Sequence, residues 1–127
     1  MSILVDTSVW IDYLRGGPQS RNFDTLINEN LIATNELVLS ELLPALTIQG
    51  QKRLIDLLRL LPLQPLAINW DEVRSFQTRC LKKGFSGIGI PDLIMAQNAI
   101  EHNTPLYTLD KHFRWLAETT SLKLFSL

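Results

Sequence analysis

The fold is decided by residues 1–14, which read Met-Ser-Ile-Leu-Val-Asp-Thr-Ser-Val-Trp-Ile-Asp-Tyr-Leu. The uninterrupted apolar run at residues 3–5 is typical of a strand that is buried on both faces of a parallel sheet. Apolar residues then recur at helical spacing from Val9 to Leu14, which predicts a helix with Asp6 or Ser8 as its N-cap. Asp6 is therefore expected at the carboxyl end of the first strand, where open α/β sheets bind their ligands.

The size and composition of the chain are those of an ordinary globular protein. Of its 127 residues, 46% are hydrophobic and 20% are charged, so we expect one folded domain, residues 1–127, and no disordered region. The formal net charge of −1 gives the chain as a whole no electrostatic attraction for nucleic acid, although a local basic rim is compatible with it.

Three features of the sequence indicate a cytoplasmic protein. No apolar run approaches the ~20 residues that a membrane span needs, and the first residues lack the basic segment and apolar core of a signal peptide. Cys80 is the single cysteine, so the chain has no internal disulfide framework and suits a reducing compartment. We therefore expect a cytoplasmic location and no membrane segment.

Further along the chain, short apolar runs alternate with helical patterns. Helices are predicted over residues 20–29, from about 36, and over 51–61, 70–83, 91–102 and 110–118; short strands are predicted over 31–33, 63–68, 106–108 and 122–125. Thr34 or Asn35, and then Asn69, are expected to cap helices. Pro44 should end or kink the helix that begins near 36, and Pro65 should confine its strand to an edge or keep it short. This alternation indicates an α/β fold with a central, mostly parallel five-stranded sheet and helices on both faces.

The helix predicted over residues 51–61 is unusually rich in large apolar side chains. They are Leu54, Ile55, Leu57, Leu58, Leu60 and Leu61. This surface is wider than one core-facing stripe requires. We therefore expect part of it to meet a second copy of the chain in a homodimer.

Glu41 is predicted to lie on the apolar side of its helix. The polar residues Glu36, Ser40 and Thr47 lie on the opposite side by the 3.6-residue period. A carboxylate on an apolar side is costly unless something pairs with it, and burial raises its pKa unless a cation compensates. A functional carboxylate is therefore favoured over the alternative, an edge residue whose end reaches water.

Asp92 repeats this situation at the start of the helix predicted over residues 91–102. It shares a side with the apolar Met95, Ala96 and Ala99, away from the polar Gln97, Asn98 and Glu101. The alternative is a carboxylate that interacts only with the helix dipole. Asp110 follows the apolar residues 106–109 at a strand-to-helix turn, as Asp6 does, and helix capping is its alternative role.

The four carboxylates are more informative together than singly. Parallel strands would bring Asp6 and Asp110 to one edge of the sheet, near the helices that carry Glu41 and Asp92. The four acids would repel one another there unless cations joined them, and oxygen-only ligands suit Mg²⁺ or Mn²⁺. Three hydroxyls lie close enough in sequence to orient these ligands, with capping and turn bonding as the alternative roles: Thr7, Ser8 and Thr108.

These residues resemble those of the PIN-domain ribonucleases, and among them the VapC-like toxins of bacterial toxin–antitoxin pairs. Four segments carry the resemblance, which covers essentially the whole chain: Leu-Val-Asp-Thr-Ser-Val-Trp-Ile at 4–11, Ser-Glu-Leu at 40–42, Ile-Pro-Asp-Leu-Ile-Met-Ala at 90–96 and Tyr-Thr-Leu-Asp-Lys-His-Phe at 107–113. The resemblance implies a PIN-like three-layer sandwich and a Mg²⁺- or Mn²⁺-dependent endoribonuclease. It implies that the catalytic and metal-binding residues are Asp6, Glu41, Asp92 and Asp110. It also implies a homodimer and a cognate VapB-like antitoxin.

Two residues depart from the family pattern. Pro44 interrupts a helix that ends at a glycine in many relatives, which bears on how Glu41 is aimed. His112 stands where many relatives carry an additional Asp, so that the fourth carboxylate rests on Asp110 alone. His112 lies beside Phe113 and Trp115, and we favour a packed or solvated residue, because the chain lacks paired histidine or cysteine ligands at metal-binding spacing; a metal-ligand role is the alternative.

Candidate RNA contacts come from basic residues near the ends of the elements that lead to the acids. Such side chains bind phosphates without reading sequence, and the candidates are Arg15, Lys82, Lys83, Lys111 and Arg114.

Two other functions stay open. A metal-dependent phosphatase would use Asp6 as its nucleophile, but it would favour a second Asp two residues later, where Ser8 stands. A non-enzymatic RNA- or partner-binding domain would retain a silent acidic pocket, and the presence of all four acids counts against it.

Overall fold

The computed structural model of the chain describes residues 2–126, so Met1 and Leu127, the two ends of the predicted domain, lie outside the described residues. The central sheet has three parallel strands in the order β2-β1-β3, namely β1 (Ile3–Val5), β2 (Ile32–Ala33) and β3 (Leu106–Tyr107). In register, Leu4 lies opposite Ala33 on one side and Leu106 on the other. Every strand residue is buried, as the apolar runs predict for a sheet that is covered on both faces. The predicted α/β class with a parallel sheet is confirmed.

The two outer strands of the predicted five are reduced to one bridge each. Leu63 pairs with Thr34 beside β2, and Leu124 pairs with Leu106 beside β3, both in parallel. The first bridge is short because Pro62 and Pro65 have no backbone N–H, so that only Gln64 N donates to the neighbouring strand, at 2.7 Å from Thr34 O. Three of the five segments predicted as strands are therefore strands, and each of the other two forms a single bridge.

The helices pack around this sheet close to their predicted positions. They are α1 (Thr7–Leu14), α2 (Phe23–Asn28), α3 (Glu36–Ile48), α4 (Lys52–Leu60), α5 (Trp70–Lys82), α6 (Ile90–Glu101) and α7 (His112–Thr119). The helix predicted over residues 20–29 is instead divided into α2 and a 3₁₀ turn, Pro18–Ser20. α3 packs against α1 and α4, whereas α5, α6 and α7 pack against one another. No helix within residues 2–126 is long and apolar enough to cross a membrane.

Pro44 was predicted to end or kink its helix; the first alternative is wrong, because α3 continues to Ile48. Helix α3 begins where the Asn35 side chain accepts a hydrogen bond from Val38 N at 3.0 Å, as expected of an N-cap. It ends where Gly50 adopts a left-handed φ of 69°, a conformation that glycine adopts without a steric penalty. The loss of one N–H at Pro44 is therefore tolerated within the helix, which carries Glu41 in its middle.

The core fixes the first helix against the end of β1. Trp10 and Phe23 are both fully buried, with ring centroids 4.7 Å apart in an edge-to-face arrangement. Burial of each such side chain contributes about 1.5–3 kcal/mol. Because Trp10 lies one turn beyond Asp6, this packing also fixes the position of that carboxylate.

A buried amide network joins α6 to α3 and to the edge segment at residues 62–66. Asn98 Oδ1 accepts hydrogen bonds from Asn35 Nδ2 (2.9 Å) and Gln64 Nε2 (3.0 Å). Asn98 Nδ2 donates to the carbonyl of Pro65 at 2.8 Å. Because α3 and α6 carry two of the predicted site carboxylates, the network helps to hold those carboxylates in place.

The side of α6 that lies away from Asp92 is polar in sequence, but only part of it is exposed. Gln97 is 3% exposed and Asn98 is 2% exposed, whereas Glu101 is exposed. Residues 93–99 are all buried, so this helix is enclosed on every side in its middle. Its amides are tolerated because they bond to other buried groups, for instance Gln97 Oε1 to Asn69 N at 3.2 Å.

Candidate functional site

Four carboxylates from four different elements line one pocket at the carboxyl edge of the sheet. They are Asp6 after β1, Glu41 on α3, Asp92 in the first turn of α6 and Asp110 after β3. The pocket has a volume of about 210 Å³ and is also bordered by Ile11. The register brings the strand ends together, since Asp6 N donates to the carbonyl of Tyr107 at 2.9 Å. The structure thus brings together all four carboxylates that the sequence suggested.

Asp6 is held by two hydroxyls and makes no side-chain capping hydrogen bond. It occupies the N-cap position of α1, but its side chain makes no capping hydrogen bond, and Ser8 lies inside the helix. Its Oδ2 accepts hydrogen bonds from Ser8 Oγ (2.7 Å) and from Thr108 Oγ1 (2.9 Å). Backbone N–H groups of the β3–α7 turn donate to the same hydroxyls, Leu109 N to Ser8 and Asp110 N to Thr108, each at 3.0 Å. The orientation of the carboxylate is therefore set by the turn after β3.

Glu41 is not buried on the apolar side of α3, so this part of its prediction is wrong. Val38 and Leu42 face the core, whereas Glu41 lies on the flank of the helix and is exposed as a residue. Its carboxylate nevertheless reaches the pocket and accepts a hydrogen bond from Thr7 Oγ1 at 3.1 Å. Partial burial of this group raises its pKa, the bond from Thr7 opposes the rise, and the charges of Asp6 and Asp92 add to it.

Asp92 lies on the side of α6 that the helical period predicts, and Met95 borders the same pocket. Burial is the main cause that raises the pKa of Asp92, and the charges of Asp110 and Asp6 raise it further. A hydrogen bond with His112 and the charge of that ring act in the opposite direction. Asp92 thus pays an electrostatic cost for its position, which a helix-dipole role alone would not require.

Asp110 serves its helix and faces the pocket at the same time. Its Oδ1 accepts a hydrogen bond from the N–H of His112, the first residue of α7, at 2.9 Å, although the N-cap position of that helix is Lys111 and not, as the alternative role required, Asp110. The same carboxylate lines the pocket. The two roles are compatible, because one carboxylate has several acceptor positions.

His112 faces the acids, although the sequence interpretation favoured a packed or solvated residue over a metal ligand. Its Nδ1 lies 3.1 Å from Asp92 Oδ2 and 3.7 Å from Asp110 Oδ1. The His112 ring is nevertheless packed, as the sequence suggested, since its centre lies 5.4 Å from that of the Trp115 ring. Its place in the sequence could have indicated that His112 faces the acids, because a residue two places after Asp110, in the first turn of α7, points back towards the end of β3.

The donor set fits a hard divalent cation. No Lys or Arg borders the pocket within the described residues, and none forms an ion pair with the four acids there. Asp92, Asp110 and His112 each offer a ligand atom, and these three atoms lie within 4.8 Å of one another. Carboxylate oxygens with one imidazole suit Mg²⁺, Mn²⁺ or a related ion, whose charge would offset the repulsion among the acids.

The five basic candidates all have exposed side chains. Arg15 borders a groove of about 370 Å³ that shares Ile11 and Glu41 with the acidic pocket. Lys111 Nζ lies 5.6 Å from the centre of the Trp115 ring, next to the site. The other three lie at the end of α5 and on α7: Lys82, Lys83 and Arg114.

Comparison with known proteins identifies a family and a shared fold. A family model described as PIN domain matches residues 3–118. No curated protein matches the sequence.

Several solved structures match at nearly full length. VapBC2 from Rickettsia felis, bound to a DNA fragment from its promoter, has a TM-score of 0.76 at 23% identity, covering 100% of this chain and 99% of that chain. FitAcB from Neisseria gonorrhoeae has a TM-score of 0.72 at 22% identity, covering 98% and 96%. VapBC-1 from nontypeable Haemophilus influenzae has a TM-score of 0.70 at 20% identity, covering 99% and 98%. Similarity of this degree shows that the fold is shared.

Proposed function

The chain belongs to the PIN-domain family, and from this premise we propose that it is a divalent-metal-dependent endoribonuclease, the toxin of a VapBC-like toxin–antitoxin pair. We further propose that residues 1–127 form one PIN domain that acts on RNA in the cytoplasm. The observation that carries the proposal is the convergence of Asp6, Glu41, Asp92 and Asp110 on one pocket whose described lining has no Lys or Arg. Such crowding costs stability and therefore calls for a function.

In this proposal, Asp6, Asp92 and Asp110 hold Mg²⁺ or Mn²⁺, with Glu41 beside them. The chemistry that such an ion supplies when bound is Lewis acidity, which makes water easier to deprotonate and offsets negative charge on a phosphate. Thr108 and Ser8 keep Asp6 in one orientation, so that little reorganisation is needed when substrate binds.

Glu41 is the residue best placed to take a proton from the attacking water. Its Oε1 accepts the bond from Thr7, and its Oε2 accepts none from the described residues. Burial raises the pKa of this carboxyl and so brings its basicity closer to neutral pH. Thr7 then serves to aim the free oxygen into the pocket.

Two protein partners are proposed beside the RNA substrate. Neighbouring solved structures are VapBC complexes by their own descriptions, which supports a VapB-like antitoxin as partner. A homodimer is supported by α4, where Leu60 is 83% exposed and borders an apolar surface cavity of about 410 Å³ with Leu57 and Ile27. Light scattering of the wild type and of Leu60→Glu tests the dimer: a wild-type mass of one chain at micromolar concentration would refute it.

The activity is tested by incubating cellular RNA with the protein in Mg²⁺, in Mn²⁺ and in EDTA. We expect cleavage with metal, none with EDTA, and a rate more than about 100-fold lower for Asp6→Asn. Asp56→Asn is the matched control, because it removes one exposed carboxylate from α4, away from the pocket, and should leave the rate unchanged. Phosphate release from small esters would favour the phosphatase, and RNA binding without turnover would favour a silent domain.

A further inference from the structure

The two histidines of the chain occupy opposite ends of the molecule. His102 follows α6, and its Nε2 lies 2.8 Å from the carbonyl of Pro65, at the amino edge of the sheet. His112 begins α7 and lies in the acidic pocket at the carboxyl edge. Any imidazole signal from the pocket can therefore come from His112 alone.

The position of the His112 ring is set by its surroundings. Its backbone N donates to Asp110 Oδ1, and its ring packs at 5.4 Å from that of Trp115. The side chains of His112 and Asp92 are each 25% exposed. A ring held in this way has lost most of its rotamer freedom before any ligand arrives, which lowers the cost of binding one.

From this geometry, we infer that His112 Nδ1 is a direct ligand of the divalent ion, together with Asp92 Oδ2 and Asp110 Oδ1; the inference rests on the proposed function. Neighbouring ligands of an octahedral ion with bonds of about 2.1 Å lie about 3.0 Å apart. The Nδ1–Asp92 distance of 3.1 Å already meets this spacing, and the Nδ1–Asp110 distance of 3.7 Å requires a small adjustment.

An imidazole ligand has a consequence for metal preference. An all-oxygen site suits Mg²⁺, whereas nitrogen ligands strengthen binding of transition metals relative to Mg²⁺. This chain should therefore prefer Mn²⁺ to Mg²⁺ more strongly than a site of four carboxylates would. The competing arrangement leaves Nδ1–H as a hydrogen-bond donor to Asp92, so that His112 orients a ligand without touching the ion.

The test uses Mn²⁺ as the probe and pulsed electron paramagnetic resonance as the readout. We expect the ¹⁴N coupling of a directly bound imidazole in the wild type and in His102→Gln, and its loss in His112→Gln. Titration should show the Mn²⁺ dissociation constant of His112→Gln raised about tenfold or more, with a smaller change for Mg²⁺. In His112→Asp, we expect Mn²⁺ to bind without nitrogen coupling and the preference for Mn²⁺ over Mg²⁺ to fall by a similar factor.

The outcomes separate this inference from the function on which it rests. Bound Mn²⁺ without imidazole coupling in the wild type would overturn the role of His112 and leave the nuclease proposal standing. A wild type that neither binds Mn²⁺ nor cleaves RNA would overturn the proposed function. If His112→Gln does not fold, the wild type and His102→Gln still decide, because only two histidines exist.

Discussion

Asn98→Ala should destabilise the protein by about 3–5 kcal/mol, although Asn98 contacts neither the pocket nor any substrate. The side chain makes three hydrogen bonds, two of them to the buried amides of Asn35 and Gln64 and one to the carbonyl of the exposed Pro65. Each lost bond costs about 0.5–1.5 kcal/mol, and a donor or acceptor left without a good partner costs about 1–3 kcal/mol. Two of the three partner groups keep a second contact, Gln64 Nε2 with the Asn98 carbonyl at 3.3 Å and the Pro65 carbonyl with His102 at 2.8 Å. Asn35 Nδ2 keeps only the sulfur of Met95, which is a weak acceptor, so it is the group that is left unsatisfied.

This loss is large against a total stability of about 5–15 kcal/mol for a domain, and it corresponds to a fall of roughly 10–20 °C in Tm. Urea unfolding followed by tryptophan fluorescence measures it. Gln97→Ala is the matched control, because that residue lies on the same helix, is as deeply buried and makes one such hydrogen bond, so it should cost about 1–2 kcal/mol. If Asn98→Ala costs no more than Gln97→Ala, the amide network does not hold α6 to α3 and to residues 62–66.

In the absence of metal, Asp92→Asn should unfold at or above the unfolding temperature of the wild type, because it removes one of four crowded carboxylates. Calorimetry should also show that Asp92→Asn loses the stabilisation that Mn²⁺ gives the wild type, which is about 2.7 kcal/mol at a Mn²⁺ concentration of 100 times the Kd. Burial and neighbouring acids raise the pKa of Asp92 and of Glu41, so protonation of these two carboxyls stabilises the folded state. This stabilisation is complete below their ordinary pKa values of 3.8 and 4.5, and it is lost as the pH rises through the raised pKa values of the folded protein. Urea titrations of metal-free Asp92→Asn/Glu41→Gln should therefore show an excess of unfolding free energy over the wild type at pH 7 that shrinks towards pH 4, and a constant excess would contradict this sign. Gly17→Ala should cost about 1–3 kcal/mol in the same assay, because its Cβ would push away the Asp12 carboxylate, which accepts a hydrogen bond from the buried Ser20 Oγ at 2.7 Å. Gly89→Ala, where the nearest neighbouring atom would lie 3.5 Å from the new Cβ, should change stability by less than about 1 kcal/mol.

What the sequence predicted well depends on local pattern. The apolar run at residues 3–5 and the alternation of strands with helices predicted a parallel sheet, and parallel strands necessarily end at one edge. The caps Asn35 and Asn69 were also predictable, since an N-cap interacts with a residue three places further along the chain. The side on which Asp92 lies follows from helical period alone.

What the sequence could not predict depends on partners that are distant along the chain. Asn98 reads as an outward polar residue until the carbonyl of Pro65 and the amide of Asn35 are placed beside it. Glu41 reads as buried because its neighbours in the helix are apolar, but the core covers only part of that side. His112 was not favoured as a ligand because a single histidine gives no spacing to recognise, and its partner Asp92 is twenty residues away.

Three of the four acids of the pocket accept a hydrogen bond from a protein donor, which orients them whether or not an ion is present. Asp6 has two hydroxyls, Glu41 has Thr7, and Asp110 has the backbone N–H of His112. Each of these carboxylates keeps further acceptor positions for a cation, so the pocket is oriented for a cation without depending on it to fold. The apolar core and the amide network around Asn98 then offset the electrostatic repulsion among the four acids. A site built in this way gains its full stability only when a cation binds, and this is the arrangement expected where metal binding serves chemistry rather than folding.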